Sequence, residues 1–226
     1  MFGKGKSVQH SVFPTHNGVL SHAAAFVVTV GFVMYTSSDR KQEGLSPLVK
    51  TIVHFIHLFS FSTWVGIQFW IHVSGFTMYK TLKRTAFMAV QNKMFPMYFM
   101  AGFITSSVAL LTHLHINSVI SWQNDRIAFY QTVGLMVSLM CCVLNLTYLG
   151  PETVRLVELR AARLQVLGIK DGVGPVCVNL VKNDAEYMSI RKSFLIMHAF
   201  CSFVNLFCYG ACGVNIWCLA SKHTLL

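Results

Sequence analysis

Hydrophobic residues are concentrated in four long runs of the chain, at about residues 50–79, 94–115, 127–149 and 193–220. Each run is close to or longer than the ~20 apolar residues that an α-helix needs to cross the hydrocarbon core of a bilayer. The first run contains HFIHLFSFSTWVGIQFWIHVSGFTMY, which has no Asp, Glu, Lys or Arg between Lys50 and Lys80. The pattern predicts an all-α membrane protein whose core is a four-helix transmembrane bundle.

Polar residues inside these runs recur at helical spacing. With about 100° of rotation per residue, His57, Trp64 and Gln68 share one face of the first helix, and each of the other runs carries a similar stripe. Because lipid offers no hydrogen bonds, such faces are expected to meet inside the bundle. We predict a polar interior, structural or ligand-binding, that contains His57, Trp64, Gln68, Ser106, His113, Gln131, Asn145, His198, Asn205 and Tyr209.

The segments around these runs predict the rest of the architecture. Pro96 stands near the expected start of the second helix, where proline is favoured, and Gly150-Pro151 is expected to end the third. Residues 151–167 combine apolar and charged positions at helical spacing, which predicts an amphipathic helix on the membrane surface. The N-terminal extension, residues 1–49, contains a further apolar run at 19–36 that predicts an additional membrane helix, and residues 221–226 form a tail.

Composition and charge support a membrane protein. Of 226 residues, 54% are hydrophobic and 12% charged, the mean hydropathy is +0.55 and the net charge is +10. With five crossings, 13 Lys and Arg fall on one side and 5 on the other, which predicts a cytosolic N-terminus, 80–93 loop and 151–167 helix. The excess favours contact with anionic lipid head groups and not with nucleic acid. The basic residues expected to face lipid or a partner are Lys80, Lys83, Arg84, Lys93, Arg155, Arg160 and Arg163.

Candidate ligands for metals or cofactors are sparse. The thioethers of Met94, Met97 and Met100 could bind a soft ion such as Cu(I), although the same spacing is typical of an apolar helix face. His57, His113 and His198 lie on three helices and are possible axial haem ligands. Six of the seven cysteines lie in apolar segments without CxxC spacing, which favours small buried side chains over disulfides. We expect no cofactor, with haem as the alternative, and no catalytic activity, since no nucleophile–base pair with a carboxylate is visible.

Several stretches resemble the transmembrane-protein-205 family. IHLFSFSTWVGIQFWIHVSGFTMYKTL with FMAVQNKMFPMYF is similar to its first helix and second-helix entry, and NLTYLGPETVRLVELRAARLQ and DAEYMSIRKSFLIMHAFCSFVNLF to its third-helix exit and last helix. The likeness covers about residues 50–220, so residues 1–49 are an extension relative to that family. It implies a four-helix protein of the plasma membrane or endomembrane system that is associated with tolerance of platinum compounds, and hence with export or trafficking.

Three functions are compatible with these features. The first is a small, non-catalytic membrane protein whose polar interior supports solute or soft-metal handling, or membrane trafficking. The second is an accessory or structural subunit of a larger membrane complex, which the small size and extra N-terminal segment also suit. The third is a haem-binding membrane protein. The acid-free N-terminal 38 residues leave the mitochondrial inner membrane as an alternative to the plasma membrane or endomembranes.

Overall fold

The computed structural model describes residues 46–117 and 125–224. The predicted membrane helix at 19–36 lies outside these residues. Four of the described helical segments are long and apolar enough to cross a membrane: Pro47–Thr81, Arg84–Ile116, Arg126–Val166 and Ala185–Ser221. The all-α transmembrane bundle predicted from the sequence is therefore confirmed. The elements are α1 (Pro47–Thr81), α2 (Arg84–Ile116), α3 (Arg126–Leu144), a π-helical turn (Asn145–Leu149), α4 (Gly150–Val166), a 3₁₀ turn (Val178–Leu180) and α5 (Ala185–Thr224).

Polar caps define where three of these helices begin. The Ser46 hydroxyl accepts a hydrogen bond from the Val49 amide at 3.4 Å, and Pro47 occupies the first turn of α1. Asp125 accepts from the Ala128 amide at 3.0 Å, and Asp184 from the Tyr187 amide at 2.6 Å. Each side-chain oxygen satisfies one of the amides that a helix leaves unpaired at its N-terminus.

One end of the bundle collects most of the charge of the described residues. Only Leu82 and Lys83 separate α1 from α2. The Arg84 amide donates to the Gly172 carbonyl at 2.9 Å, and Thr85 Oγ1 lies 2.5 Å from Asp171 Oδ2. These contacts join the α1–α2 turn to the loop after α4. We call this end, comprising residues 79–93, 150–192 and their contacts, the basic end.

The second helix begins earlier than the sequence analysis expected. It starts at Arg84 instead of 94, so the basic segment 84–93 is helical, and Pro96 lies inside the helix instead of at its start. A proline at this depth removes one backbone hydrogen bond. Residues 84–93 include Ala, Met, Val, Gln and Lys, most of which favour helix and carry it beyond the apolar run. The last helix is extended similarly, because its cap lies at Asp184.

Gly150-Pro151 does not end the third helix, contrary to expectation. Gly150 has helical dihedrals of φ −63° and ψ −57°, and its amide donates to the Asn145 carbonyl through the wider π turn. Pro151, which has no N–H to donate, follows Gly150 just after this π turn. A Cβ on Gly150 would lie 2.6 Å from the Asn145 carbonyl oxygen and 3.0 Å from the Phe99 ring, so only glycine fits. The amphipathic helix thus continues α3 instead of standing apart from it.

Two hydrophobic clusters hold the bundle together. The larger joins α1, α2, α3 and α5 around Trp64, Phe99, Leu135 and Cys208, and the smaller packs Leu164, Val181 and Tyr187 at the basic end. Large apolar side chains on the outside, such as Phe55, Trp70 and Phe203, are more than 60% exposed. In a membrane protein this exterior is where the lipid tails pack.

Candidate polar interior

The interior is centred on the Trp64 indole. Trp64 is 2% exposed, and its Nε1 donates to Ser138 Oγ of α3 at 3.2 Å. The Ser138 hydroxyl lies 3.4 Å from Ser106 Oγ of α2, so side chains from three helices form one chain of hydrogen bonds. A Cβ on Gly102 would stand 2.4 Å from the indole ring, which shows that the ring packs directly on the α2 backbone. The absent side chain at residue 102 makes room for the indole.

A cluster of thiols lies next to this chain. Gln68 Nε2 of α1 donates to Cys212 Sγ at 3.3 Å and is 3.8 Å from Cys208 Sγ, both on α5. Ser138 Oγ is 3.3 Å from Cys208 Sγ and 3.6 Å from Cys212 Sγ. Cys142 Sγ of α3 lies 3.9 Å from Ser106 Oγ, and Cys141 and Cys142 are buried in the same hydrophobic cluster as Cys208. We call Cys141, Cys142, Cys208 and Cys212 the thiol cluster; all four are buried and free.

His57 and His113 form a second polar group. Their ring centroids are 5.9 Å apart. His57 Nδ1 lies 2.9 Å from the Ala109 carbonyl, and His113 Nε2 lies 2.9 Å from Thr132 Oγ1. Asn117 Nδ2 lies 3.2 Å from His113 Nδ1, so both His113 nitrogens already have partners. Haem ligation by His113 would displace one of these contacts, which is a poor fit to an axial ligand.

Buried amides complete the interior. Asn145 Nδ2 in the π turn donates to Asn205 Oδ1 at 3.1 Å. Four oxygens, those of the Gln68, Gln131, Asn145 and Asn215 side chains, are buried without a hydrogen-bond partner among the described residues, as is Asn215 Nδ2. Gln68, Gln131, Asn145 and Asn215 are each 2% exposed or less. The interior therefore presents more hydrogen-bond acceptors than the described residues use.

The predicted interior residues divide by helix. The structure buries those of α1, α2, α3 and the π turn, namely His57, Trp64, Gln68, Ser106, His113, Gln131 and Asn145. On α5 it half-buries Asn205 but exposes His198, whose ring stacks on Phe194, and Tyr209, which is 40% exposed. The inward face of α5 instead carries Cys201, Cys208, Cys212, Asn215 and Cys218. The spacing of these residues in the sequence could have predicted the inward face, since small residues at successive helical turns are typical of close helix packing.

The methionine run remains a prediction as a soft-metal site. Met97 is 65% exposed, whereas Met94 and Met100 are half-buried, so the three side chains differ in their surroundings. Within residues 46–117 and 125–224, no group of three or more His, Cys, Asp or Glu side chains is arranged to hold a metal ion.

Ion pairs organise the basic end. Arg163 contacts Asp184 at 2.5 Å and Glu186 at 2.7 Å, and Arg155 contacts Glu152 at 2.5 Å. The hydrogen bonds from Arg163 and the Tyr187 amide hold the pKa of Asp184 below its usual range. Hydrogen bonds from Thr85 lower the pKa of Asp171 in the same way. Lys80, Lys83, Lys93, Arg84 and Arg160 belong to this end too, with Lys80 over the Phe76 ring.

Together, the spanning helices and the uncharged polar core define an integral multi-pass membrane protein. A family model described as a domain of unknown function, DUF4149, matches residues 59–162. Transmembrane protein 205 of Danio rerio is 24% identical over 176 residues, covering 74% of this chain and 92% of that protein. These findings confirm the resemblance to the transmembrane-protein-205 family that the sequence motifs indicated. No solved structure matches the chain.

Proposed function

We propose that this protein is a non-catalytic membrane protein that handles a small, uncharged, hydrogen-bond-donating solute in its polar interior. The observation that carries the proposal is the set of unpartnered amide oxygens of Gln68, Gln131 and Asn215. A buried polar atom without a partner costs about 1–3 kcal/mol, so several in one bundle are expensive unless something occupies them. Water or a solute that donates hydrogen bonds would satisfy these oxygens.

The charge of the interior supports a neutral solute. Residues 51–79, 94–115, 127–149 and 193–220 contain no Asp, Glu, Lys or Arg. An ion in such an interior would lack a counter-charge, and an isolated charge in low dielectric is strongly disfavoured. Amides and hydroxyls, by contrast, match the hydrogen bonds of a small alcohol or amide. We propose a protein without catalytic activity for the same reason: the amides and hydroxyls of the interior are groups that bind a solute, and they do not form a nucleophile paired with a base.

A soft metal ion is the second ligand class. It rests on the chemistry of the Cys208 and Cys212 thiols alone, because thiolates are the ligands that Cu(I)-like ions prefer, and not on an arranged set of three or more such ligands in the described residues. Retention of Cu(I) by the purified protein, and its loss when Cys208 and Cys212 are replaced by Ser, would favour this ligand class over the neutral solute. Haem is tested by the absorption spectrum of the purified protein: a Soret band would favour it.

Access to the interior can be tested with the native thiols. In a Cys177→Ser background, which removes the exposed thiol, the protein in liposomes is treated with aminoethyl methanethiosulfonate and labelling is read by peptide mass spectrometry. We expect Cys208 and Cys212 to be labelled faster than Cys201. Cys201 is a matched control because it is also buried on α5 but has no bond to Gln68. Equal lack of labelling at all three would indicate a sealed core and contradict the proposal.

Solute handling can be tested with glycerol as the neutral probe. Liposomes that contain the protein are expected to swell faster in a glycerol gradient than empty liposomes. Gln68→Met removes the amide but keeps the length of the side chain, so it should slow swelling without unfolding the bundle. Ser62→Ala, on the exposed face of α1, is the control. Swelling equal to that of empty liposomes would overturn passage of neutral solutes.

The alternative function, an accessory subunit of a larger membrane complex, is favoured by a different observation. His198, Ser202 and Tyr209 are exposed on the outside of the spanning helix α5. Polar side chains on a lipid-facing surface are better satisfied by a neighbouring protein. The mass of the complex extracted in mild detergent separates the two readings: a stable large assembly supports the subunit, and a free monomer or dimer supports the solute-handling protein. The plasma membrane or endomembrane system remains our proposed location.

A further inference from the structure

Arg160 forms no ion pair with the described residues, unlike three other arginines at the basic end. Arg84 pairs with Asp171 and Arg155 with Glu152. Arg163 pairs with both Asp184 and Glu186. Glu158, the remaining described acid at this end, accepts from Asn92 Nδ2 at 3.1 Å. Arg160 has no ion pair among the described residues, and its Nε is buried without a hydrogen-bond partner. Its charge is therefore not neutralised by the described part of the chain.

The groups around Arg160 add positive charge and hydrogen-bond donors. Its guanidinium lies 4.4 Å from the centre of the Phe194 ring, which fixes its position by a cation–π contact. Its largest electrostatic interactions are with Tyr187, Arg191, Tyr79 and Arg84, none of which is a carboxylate. His198 interacts with it as well. A guanidinium with a buried Nε that is held over Phe194 and has no carboxylate partner among the described residues, with the charge of Arg191 nearby, has the chemistry that binds a phosphate group.

The position of Arg160 relative to the membrane indicates where its phosphate ligand comes from. Phe194 stands at the start of the apolar part of α5, and the next two residues, Leu195 and Ile196, are each 48% exposed, as lipid-facing residues are. Tyr79, 43% exposed, stands at the corresponding end of α1 beside Lys80. Aromatic and basic residues at this level lie among the lipid head groups of a bilayer. A phosphate at this depth is attached to a lipid.

We propose that Arg160, with Arg191, forms a binding site for the phosphate of an anionic lipid head group at the basic end. This site is independent of the solute-handling function proposed for the interior. In a lipid-free protein the guanidinium groups of Arg160 and Arg191 repel each other, and a phosphate monoester would neutralise them. The stack of Arg160 on Phe194 orients the planar guanidinium so that its remaining nitrogens can donate to phosphate oxygens.

The test measures binding of dioctanoyl phosphatidic acid to the purified full-length protein by native mass spectrometry in mild detergent. Arg160→Gln is expected to weaken binding about tenfold or more, the worth of one charge-assisted hydrogen bond. Arg155→Gln is the matched control, because it removes the same charge from an exposed position on the same helix; it should change binding less than about twofold. Equal losses in the two variants would show diffuse electrostatic attraction and overturn the site.

Two further measurements separate the site from folding and from a soluble anion. Arg160→Gln also removes the contact with Phe194 and so can lower the melting temperature. Arg191→Gln removes a second positive charge and leaves that contact in place, so it should weaken phosphatidic acid binding without this effect on folding. Dioctanoyl phosphatidylcholine and inorganic phosphate are the comparison ligands. We expect both to bind more weakly than phosphatidic acid. Inorganic phosphate binding as tightly as the lipid would identify a site for a free anion and contradict the proposal.

Discussion

At the basic end, Arg163 is held between Asp184 at 2.5 Å and Glu186 at 2.7 Å. In the interior, by contrast, Gln68 donates to thiols, the nearest 3.3 Å away, and its oxygen has no partner among the described residues. The two regions invert the usual expectation. Polar atoms near water can be satisfied by solvent, yet there Arg163 is paired with two carboxylates, while in the interior, where an unpaired atom is costly, several oxygens have no partner among the described residues. Complete pairing fits a structural role, and open acceptors in an apolar bundle fit a binding role.

The largest expected effect tests whether the interior also carries the stability of the bundle. Trp64→Ala should lower the free energy of unfolding by about 3–5 kcal/mol, because it opens a large cavity and removes the donor to Ser138. Trp70→Ala, on the same helix but 64% exposed, is the matched control and should change it little. Unfolding in mixed detergent by added dodecyl sulfate measures both variants. Similar losses in the two would mean that α1 is not anchored through its inward face.

A smaller loss of stability is expected for a variant that disturbs the packing of α1 on α2. Gly102→Ala should destabilise the protein by about 1–3 kcal/mol, because the new methyl group overlaps a rigid, buried indole. Gly210→Ala is the control, since a Cβ there meets nothing within 4 Å. Thermal unfolding in detergent compares them. If Gly102→Ala were as stable as Gly210→Ala, Trp64 would have to pack elsewhere in the membrane.

The pH dependence of stability tests the basic end by itself. Because the folded state lowers the pKa of Asp184, this carboxylate contributes stability that is fully present above its unfolded pKa and is lost as the pH falls through the folded value. Asp184→Asn should therefore lower the melting temperature at pH 7, and the difference from wild type should shrink as the pH falls below about 4.

Glu186→Gln is the control for that measurement. It removes the other, more exposed acid that contacts Arg163, 63% exposed against 14% for Asp184, and leaves the cap of α5 in place. We expect it to change the melting temperature less than Asp184→Asn at every pH. A difference between Asp184→Asn and wild type that stays constant down to pH 3 would mean that the ion pair does not form in solution.

The sequence predicted the membrane bundle and the inward faces of α1, α2 and α3, because apolar runs and 3.6-residue spacing report burial directly. It did not predict the helical start at Arg84 or the passage through Gly150-Pro151. Helix ends outside the bilayer depend on caps and on a π turn, which hydropathy does not encode. On α5 the predicted polar stripe with His198 and Tyr209 faces outward, because hydropathy and polar spacing do not show that a stripe of cysteines lines the interior.

The smallest expected effect on stability is that of replacing His198, which lies on the outward face of α5. His198 is exposed and contacts Phe194 through its ring, so His198→Ala should change the free energy of unfolding by less than about 0.5 kcal/mol. His57→Ala is the comparison: it removes a buried ring bonded to the Ala109 carbonyl and should cost about 1–3 kcal/mol. The two variants are measured in the same dodecyl sulfate titration. A large loss on replacing His198 would place its ring against a protein neighbour in the membrane, and would thereby favour the accessory-subunit function over the solute-handling one.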